Sequence, residues 1–550
     1  MEFLQENSFN SALMKYRRWE SSKLNAYMLP NLVLMGLVGA LLLFWRGSGK
    51  RFALTSVLFL LLGLLSIFYY AANYFTGEGI TDAVVFHLLA GPEGAGIQDF
   101  MDLWIKLGLA LVTLLGFLIW AIVRFRSQST RHILQPTGDA RRKSLSLITM
   151  SAPLLASVSL AVHPATVDGM SLWSQYHTES EHSDISDFVQ PIKIESRTGK
   201  QKNLVYLYLE SVERTFFDQK KFPGLITHLR ELENSAVSFH GLLQAPMTGW
   251  TIAGMTASQC GIPISTFNTG KNASVETSQF LPGSACLGDL LKSDGYYLAY
   301  IGGADLKFAG KGNFYRMHHF DEVMGLQEVD ALMGGSLPKS EWGIYDDVTL
   351  DVAYRKFEEL SQSGKPFGLI SLTLDTHPPR GHVTPACSSM KYGDGSNKML
   401  NAIHCADFLA AGFIRRILAS PYARDTVLVV GSDHFVLSSD ATEMVQAPGG
   451  ELPRNNLLMV FDSDQPARIV SRNGTTLDIA PTILDIMGYQ TGHFAIGRNL
   501  LAKDQTLVEK YGFEVFANKL EHWRRALWKY SNSPRQNQKT NKAVASLSDS

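Results

Sequence analysis

Four apolar runs within residues 1–165 constrain the fold more than any other feature: Met28–Trp45, Phe52–Phe75, Leu103–Val123 and Ser144–His163. Each is near or above the roughly 18–20 apolar residues that cross a bilayer as a helix. The one charge among them, Lys106, lies near an end where its stem can reach the interface. A single such run could be a buried helix of a large soluble domain. Four in series predict a polytopic membrane region, and a run that repeats and continues is not a cleaved signal peptide. Mean hydropathy of the whole chain is near zero only because the rest is far more polar.

The charges between the runs predict an orientation. Arg46, Lys50 and Arg51 lie between the first two runs, and Arg124, Arg126, Arg131, Arg141, Arg142 and Lys143 between the last two. The middle link has no Lys or Arg but holds Glu78, Asp82, Glu93, Asp99 and Asp102. Basic links stay cytoplasmic, so everything after His163 is expected outside. The N-terminal arm, with Lys15, Arg17, Arg18 and Lys23, runs against this rule, and the two later basic links are given more weight. All four cysteines, Cys260, Cys286, Cys387 and Cys405, fall in the outer part. An even number in an oxidising compartment predicts two disulfides. Of the three possible pairings, sequence proximity favours Cys260–Cys286 and Cys387–Cys405. A net charge of −1 gives no global basic field, so nucleic acid is not an expected partner.

At 550 residues the chain is too long for one ordinary domain. The expected organisation is a membrane domain over 1–165, a polar linker over 166–200, an outer domain over 201–505, and a C-terminal amphipathic helix (507–530) with a disordered tail. In the outer domain, strand-like runs at 203–209, 297–301, 367–374, 426–431 and 457–462 alternate with helical patterns at 222–235, 284–294, 346–362 and 400–419. That alternation predicts a mostly parallel sheet covered on both faces.

Two of these runs end in chemistry. NLVYLYL runs into Glu210 and Ser211, and TVLVVG into Ser432, Asp433 and His434. Ligands in open α/β sheets bind at the carboxyl ends of the strands, so Glu210, Asp433 and His434 are candidate ligands of a hard cation. Each also has a bland reading: Glu210 could be a helix N-terminal carboxylate, and Ser-Asp-His at a strand end is a short, weak signal. The nucleophile candidate lies in APMTGWTIAGMTASQC (245–260). Thr251 could open a helix whose amides stabilise phosphate charge; an N-cap role is the plainer alternative, and Thr248 and Thr256 remain neighbours. LTLDTHPPRGH (372–382) offers Asp375, His377, Arg380 and His382, and GGADLKFAGKGNFY (302–315) offers Lys307 and Lys311 without Walker spacing. His318 and His319 read as ordinary loop histidines.

Taken in order, YLESVERTFFD, APMTGWTIAGMTASQCGIP, GGADLKFAGKGNFY, LTLDTHPP and GSDHF resemble the phosphoglycerol transferases. These form part of the lipoteichoic-acid-synthase branch of the alkaline phosphatase and sulfatase superfamily. The resemblance covers about 203–500 and reaches the membrane part through YFTGEGITDAVVFHL (74–88). It implies a sulfatase-like α/β domain with one divalent metal, manganese before magnesium or zinc, held by Glu210, Thr251, Asp433 and His434. Thr251 would be the nucleophile, His377 a phosphate contact, and Lys311 with Phe308 part of the glycerol phosphate pocket. The synthase pattern Phe-Trp-Asn-Arg is here Phe308-Ala309-Gly310-Lys311, so that pocket should differ. Cys260-Gly261-Ile262-Pro263 has the wrong spacing for the sulfatase Cys/Ser-x-Pro-x-Arg setting and no following Arg, which disfavours sulfate-ester hydrolysis.

The implied activity is transfer of phosphoglycerol from phosphatidylglycerol to periplasmic glucans in the inner membrane, releasing diacylglycerol. The resemblance leaves the acceptor open, because transferases of this kind continue well past the catalytic region and this sequence ends soon after it. Phosphoethanolamine transfer to lipid A or another envelope glycan is the enzyme-class alternative. A membrane sensor that binds headgroups without turnover is the non-enzyme one. The donor lipid separates the first two, and metal content separates the third.

Overall fold

The computed structural model describes residues 29–45, 48–91, 93–134, 151–177, 185, 188–189, 196–265, 280–491 and 493–532. The N-terminal arm and the tail beyond 532 lie outside the described residues. The chain divides into two compact units, residues 1–84 with 98–174, and 85–97 with 175–550.

The first unit is helical. Gly49–Thr76 and Ile97–Ser127 are long and apolar enough to cross a membrane, whereas Leu29–Leu43 and Ala152–Ala161 are shorter apolar helices. The four expected spans are thus two long helices and two short ones. Pro164 opens a new helix directly after the fourth run, and residues 144–150 lie outside the described set. Val38, Leu42, Trp45, Phe52, Phe59, Leu114, Leu118, Ala152 and Ala156 form one apolar cluster among these helices. The expected linker also begins as helix, Pro164–His177: its polar residues lack a core-facing period but nothing in them breaks a helix.

The second unit is built on an eight-stranded sheet. Its strands are β1 (Asn203–Leu209), β2 (Val237–Phe239), β3 (Tyr297–Gly302), β4 (Glu322–Met324), β5 (Phe367–Leu372), β6 (Thr426–Ser432), β7 (Leu458–Phe461) and β8 (Arg468–Val470). Their spatial order is β4-β3-β5-β1-β6-β7-β2-β8. β1 is flanked on both sides by parallel partners, with Tyr206 opposite Ile370 of β5 and Val429 of β6. Only β7 runs antiparallel to its neighbours. Such central strands are covered on both faces and are apolar throughout, and Leu204 to Leu209 are fully buried. The fold class expected from the sequence is the one found.

Several element boundaries differ from expectation. The helix expected over 222–235 is only His228–Glu233, since Pro223 and a left-handed Gly224 form the preceding turn. The expected C-terminal helix is three pieces, Leu507–Tyr511, Phe513–His522 and Arg524–Asn532. Gly512, at φ 75° and ψ 154°, interrupts it in a conformation open to glycine but strained for other residues. The helices Asp346–Gln362 and Lys398–Leu418 follow their sequence patterns closely. The cysteines form Cys260–Cys286 and Cys387–Cys405.

Candidate active site

The site lies at the carboxyl ends of the two central parallel strands. β1 delivers Glu210, and the following Ser211 takes a left-handed φ of 58° that turns the chain sharply. Its amide donates to Asp433 Oδ1 (2.9 Å) and its hydroxyl to Glu210 Oε1 (2.9 Å). The neighbouring strand β6 delivers Asp433 and His434. Because β1 and β6 are paired in register up to Leu209 and Ser432, their next residues emerge side by side.

Thr251 is the first residue of the helix Thr251–Cys260, after an extended Trp250. The helix packs so closely on the Asp433 loop that a Cβ on Gly254 would lie 1.9 Å from the Asp433 carbonyl oxygen. That contact brings the Thr251 hydroxyl to 3.2 Å from Glu210 Oε2 and 3.5 Å from His434 Nε2. Thr248 is buried elsewhere, donating to the Ala245 carbonyl (2.7 Å), and Thr256 Oγ1 is buried without a partner among the described residues. Of the three threonines, Thr251 is the one that meets the carboxylates.

The donor set suits a divalent cation. Ligand atoms of Glu210, Asp433 and His434 lie within 4.8 Å of one another, all buried. His434 Nδ1 donates to the Phe435 carbonyl (2.6 Å), which turns Nε2 toward Glu210 Oε1 and Asp433 Oδ2, each 3.3 Å away. Asp433 Oδ2 is buried with no hydrogen-bond donor among the described residues, the kind of orphan a cation satisfies. Burial and the Glu210 charge push Asp433 up to about 8. Burial would also raise Glu210, but the charge and hydrogen bond of His434 overcome it and hold that carboxyl well below its usual range. Burial would lower His434, yet the Asp433 and Glu210 charges raise it to about 9. Two buried carboxylates this close cannot both ionise without a positive partner.

A wider shell holds this arrangement. Glu213, fully buried, accepts from Arg454 Nε at both oxygens (2.7 and 2.8 Å) and from the Val436 amide (3.0 Å), tying the turn after β1 to the loop after β6. Thr373 Oγ1 accepts from the Glu210 amide (2.9 Å).

Lys311 and His377 lie beside the carboxylates. Lys311 is buried, its Nζ 4.9 Å from the centre of the Phe308 ring, and it makes no ion pair among the described residues. Burial lowers it to about 8 against the pull of Glu210, Asp433 and Asp305. His377 Nδ1 donates to the Pro378 carbonyl (2.8 Å), and its ring lies 3.8 Å from that of Trp342. Burial lowers His377, opposed by the Glu210 charge.

The other candidates stand apart from this group. Lys307 is exposed and pairs with Glu93 (3.6 Å). Asp375 and buried Asp346 each donate their amide to the other's carboxylate (3.1 Å both ways), and the His382 amide donates to the Asp375 carbonyl (2.6 Å). His318 is more than a loop residue: it is buried, its Nδ1 2.7 Å from Asp289. Sequence reasoning overlooked Trp342 and Arg454, which lie in none of the quoted motifs, and gave no role to Glu213, which lies within YLESVERTFFD. It also left residues 85–97 in the membrane domain, whereas they group with the second unit. There Phe86 packs on Trp250 and His87 on Phe308, at 5.5 and 5.7 Å between ring centres. The one available signal was that the family-like stretch 74–88 includes both.

Comparison with known proteins shows the family of the chain. Residues 27–183 match the model described as phosphoglycerol transferase I, N-terminal domain, and residues 202–489 match the sulfatase model. A phosphoglycerol transferase I from Xanthomonas campestris is 36% identical over 479 residues, 86% of this chain and 64% of that protein. One from Salmonella choleraesuis is 37% identical over 486 residues, 87% of this chain and 60% of its own length. The chain therefore spans less than two thirds of these relatives. Among solved structures, an alkaline phosphatase superfamily protein from Vibrio parahaemolyticus aligns with a TM-score of 0.49 and 23% identity, over 62% of this chain and 79% of that one. A lipoteichoic acid synthase from Listeria monocytogenes aligns at 0.48 and 18%, over 64% and 97%.

Proposed function

The chain belongs to the sulfatase family, and from that premise we propose that it transfers phosphoglycerol from phosphatidylglycerol to a periplasmic glucan through Thr251. The observation that carries this reading is the Thr251 hydroxyl at the start of a helix, 3.2 Å from Glu210 and beside Asp433 and His434. The names of the curated relatives support the group transferred. Glu210, Thr251, Asp433 and His434 would hold one divalent cation, manganese on family grounds, which when bound would supply positive charge against the charge that develops on the reacting oxygens.

Thr251 Oγ1 attacks the donor phosphorus. The bond to the diacylglycerol oxygen breaks, and the proton lost by Thr251 ends on that oxygen. Lys311 and His377 flank the phosphoryl group, and the first amides of the Thr251 helix add their partial positive charge. A glucan hydroxyl then attacks the same phosphorus. Oγ1 leaves and regains a proton from that hydroxyl, so the cycle closes with ping-pong kinetics.

In this reading the chain is an inner-membrane protein with its second unit in the periplasm. Basic links around the long helices, the acidic segment between them and the two disulfides support that orientation.

The test uses full-length protein in vesicles. Wild type releases diacylglycerol from phosphatidylglycerol, chelation stops it and a divalent cation restores it. Thr251→Ala loses at least about a thousandfold in kcat while remaining folded. Full activity in Thr251→Ala, or release from phosphatidylethanolamine alone, overturns the reading.

A further inference from the structure

The segment Val85–Ile97 lies in sequence between the two long apolar helices but belongs to the catalytic unit. It is fixed at several points. Phe86 packs on Trp250, the residue before Thr251. A Cβ on Gly96 would lie 2.9 Å from the Trp342 ring, so the segment runs tightly against that side chain. Between these contacts the imidazole of His87 stacks on Phe308, ring centres 5.7 Å and planes 19° apart. Phe308 meets Trp342 edge-on at 5.5 Å, and Trp342 lies against His377. His87, Phe308, Trp342 and His377 thus form a continuous aromatic wall, with the Lys311 ammonium over the Phe308 ring.

Both ring nitrogens of His87 lack a hydrogen-bond partner among the described residues, and the side chain lies deep among these rings while keeping some exposure to solvent. Burial, together with the charges of His377 and Lys311, pushes its pKa down to about 4. At neutral pH it offers one N–H donor and one lone pair without charge. The carboxylates that Lys311 senses are Glu210, Asp433 and Asp305. The first two are the proposed cation ligands, and Asp305 accepts from the Lys307 amide and Gln327 Nε2. An ammonium headgroup placed here would face the Lys311 ammonium, with Glu210 and Asp433 already committed to the cation. An uncharged, hydroxylated headgroup would find a neutral donor and acceptor in His87 and an apolar ring face for its carbons.

We propose that His87 is a specificity-determining residue that hydrogen-bonds the hydroxyls of an uncharged polyol headgroup, so that the site takes glycerol-bearing phosphodiesters over amine-bearing ones. This rests on the transfer reading above and names the residue that chooses its donor.

Two substitutions separate the polar role from packing: His87→Phe keeps a ring on Phe308, and His87→Gln keeps a donor and an acceptor. Full-length protein is compared in vesicles of phosphatidylcholine with either phosphatidylglycerol or phosphatidylethanolamine. His87→Phe should lose about 10- to 100-fold in kcat/KM for phosphatidylglycerol, the scale of a lost hydrogen bond in a charged site. Its preference between the two lipids should collapse, and His87→Gln should recover part of the loss. A calorimetric titration with glycerol phosphate and with phosphoethanolamine tests the role without turnover, the first binding tighter to wild type and losing that advantage in His87→Phe. Inactivity of wild type on phosphatidylglycerol strikes the transfer reading, and the titration then decides the role of His87. Unchanged glycerol phosphate binding in His87→Phe, or an equal loss for both ligands, overturns the proposal.

Discussion

Two apolar runs in this chain meet opposite fates. Gly49–Thr76 is 28 residues long, and in its neighbour Ile97–Ser127 the side chains of Leu109, Val112 and Ile119 are 63%, 69% and 63% exposed. β1 is 7 residues long, and each of Leu204 to Leu209 is fully buried. A helix satisfies its own backbone hydrogen bonds and can leave its apolar face to a solvent that tolerates it. A strand cannot, and must buy its apolarity with two hydrogen-bonded neighbours. In this molecule those neighbours, β5 and β6, carry the site: the demand that buries β1 also sets Glu210 beside Asp433.

The largest effect expected from that comparison lies in the turns that follow β1 and β6. Glu213→Gln leaves Arg454, which is mostly buried, without its charge partner and loosens the link between the turns after β1 and β6. A loss of about 3–5 kcal/mol is expected for a broken buried pair, read as a lower denaturation midpoint of the second unit together with weaker metal retention. The exposed pair Lys307–Glu93 should contribute no more than about 1 kcal/mol. Equal effects at the two pairs would break the account of how the site is held.

Next in size is a test of the two solvents. Val112 and Ile469 are similarly exposed, at 69% and 63%, one on a long apolar helix and the other on the edge strand β8. Val112→Asp should cost about 2.5–3.5 kcal/mol of membrane insertion, seen as protein lost from the membrane fraction. Ile469→Asp faces water and should cost no more than about 1 kcal/mol. Equal tolerance at both positions would mean that the long helix does not face lipid. The smallest effect is Gly254→Ala, at about 1–3 kcal/mol. The added methyl pushes the Thr251 helix off the Asp433 loop, so transfer should fall more than stability does. A variant with normal transfer would show that this close approach does not position Thr251.

What was legible in the sequence follows the same division. Buried parallel strands advertise themselves as unbroken apolar runs, so β1, β3, β5, β6 and β7 could be placed. The residues that end β1 and β6 were legible because pairing in register leaves them nowhere to emerge but side by side. β2, β4 and β8 are three residues each, too short to show any period. The helix pattern over 507–530 concealed the break at Gly512, because periodicity records which face is buried and not whether the backbone is continuous. His87 was hidden for a different reason. Hydropathy assigns a segment to the unit of its neighbours in sequence, whereas Phe86 and His87 are held by Trp250 and Phe308, more than 160 residues away along the chain.

The central claim is a covalent bond between Thr251 and the transferred group. The most direct measurement is the intact mass of full-length protein quenched soon after mixing with phosphatidylglycerol vesicles in the absence of acceptor, wild type beside Thr251→Ala. The account predicts one glycerophosphoryl group added to wild type, located at Thr251 by fragmentation, and none on the variant. An adduct that persists in Thr251→Ala, or diacylglycerol released with no adduct at any quench time, would contradict it.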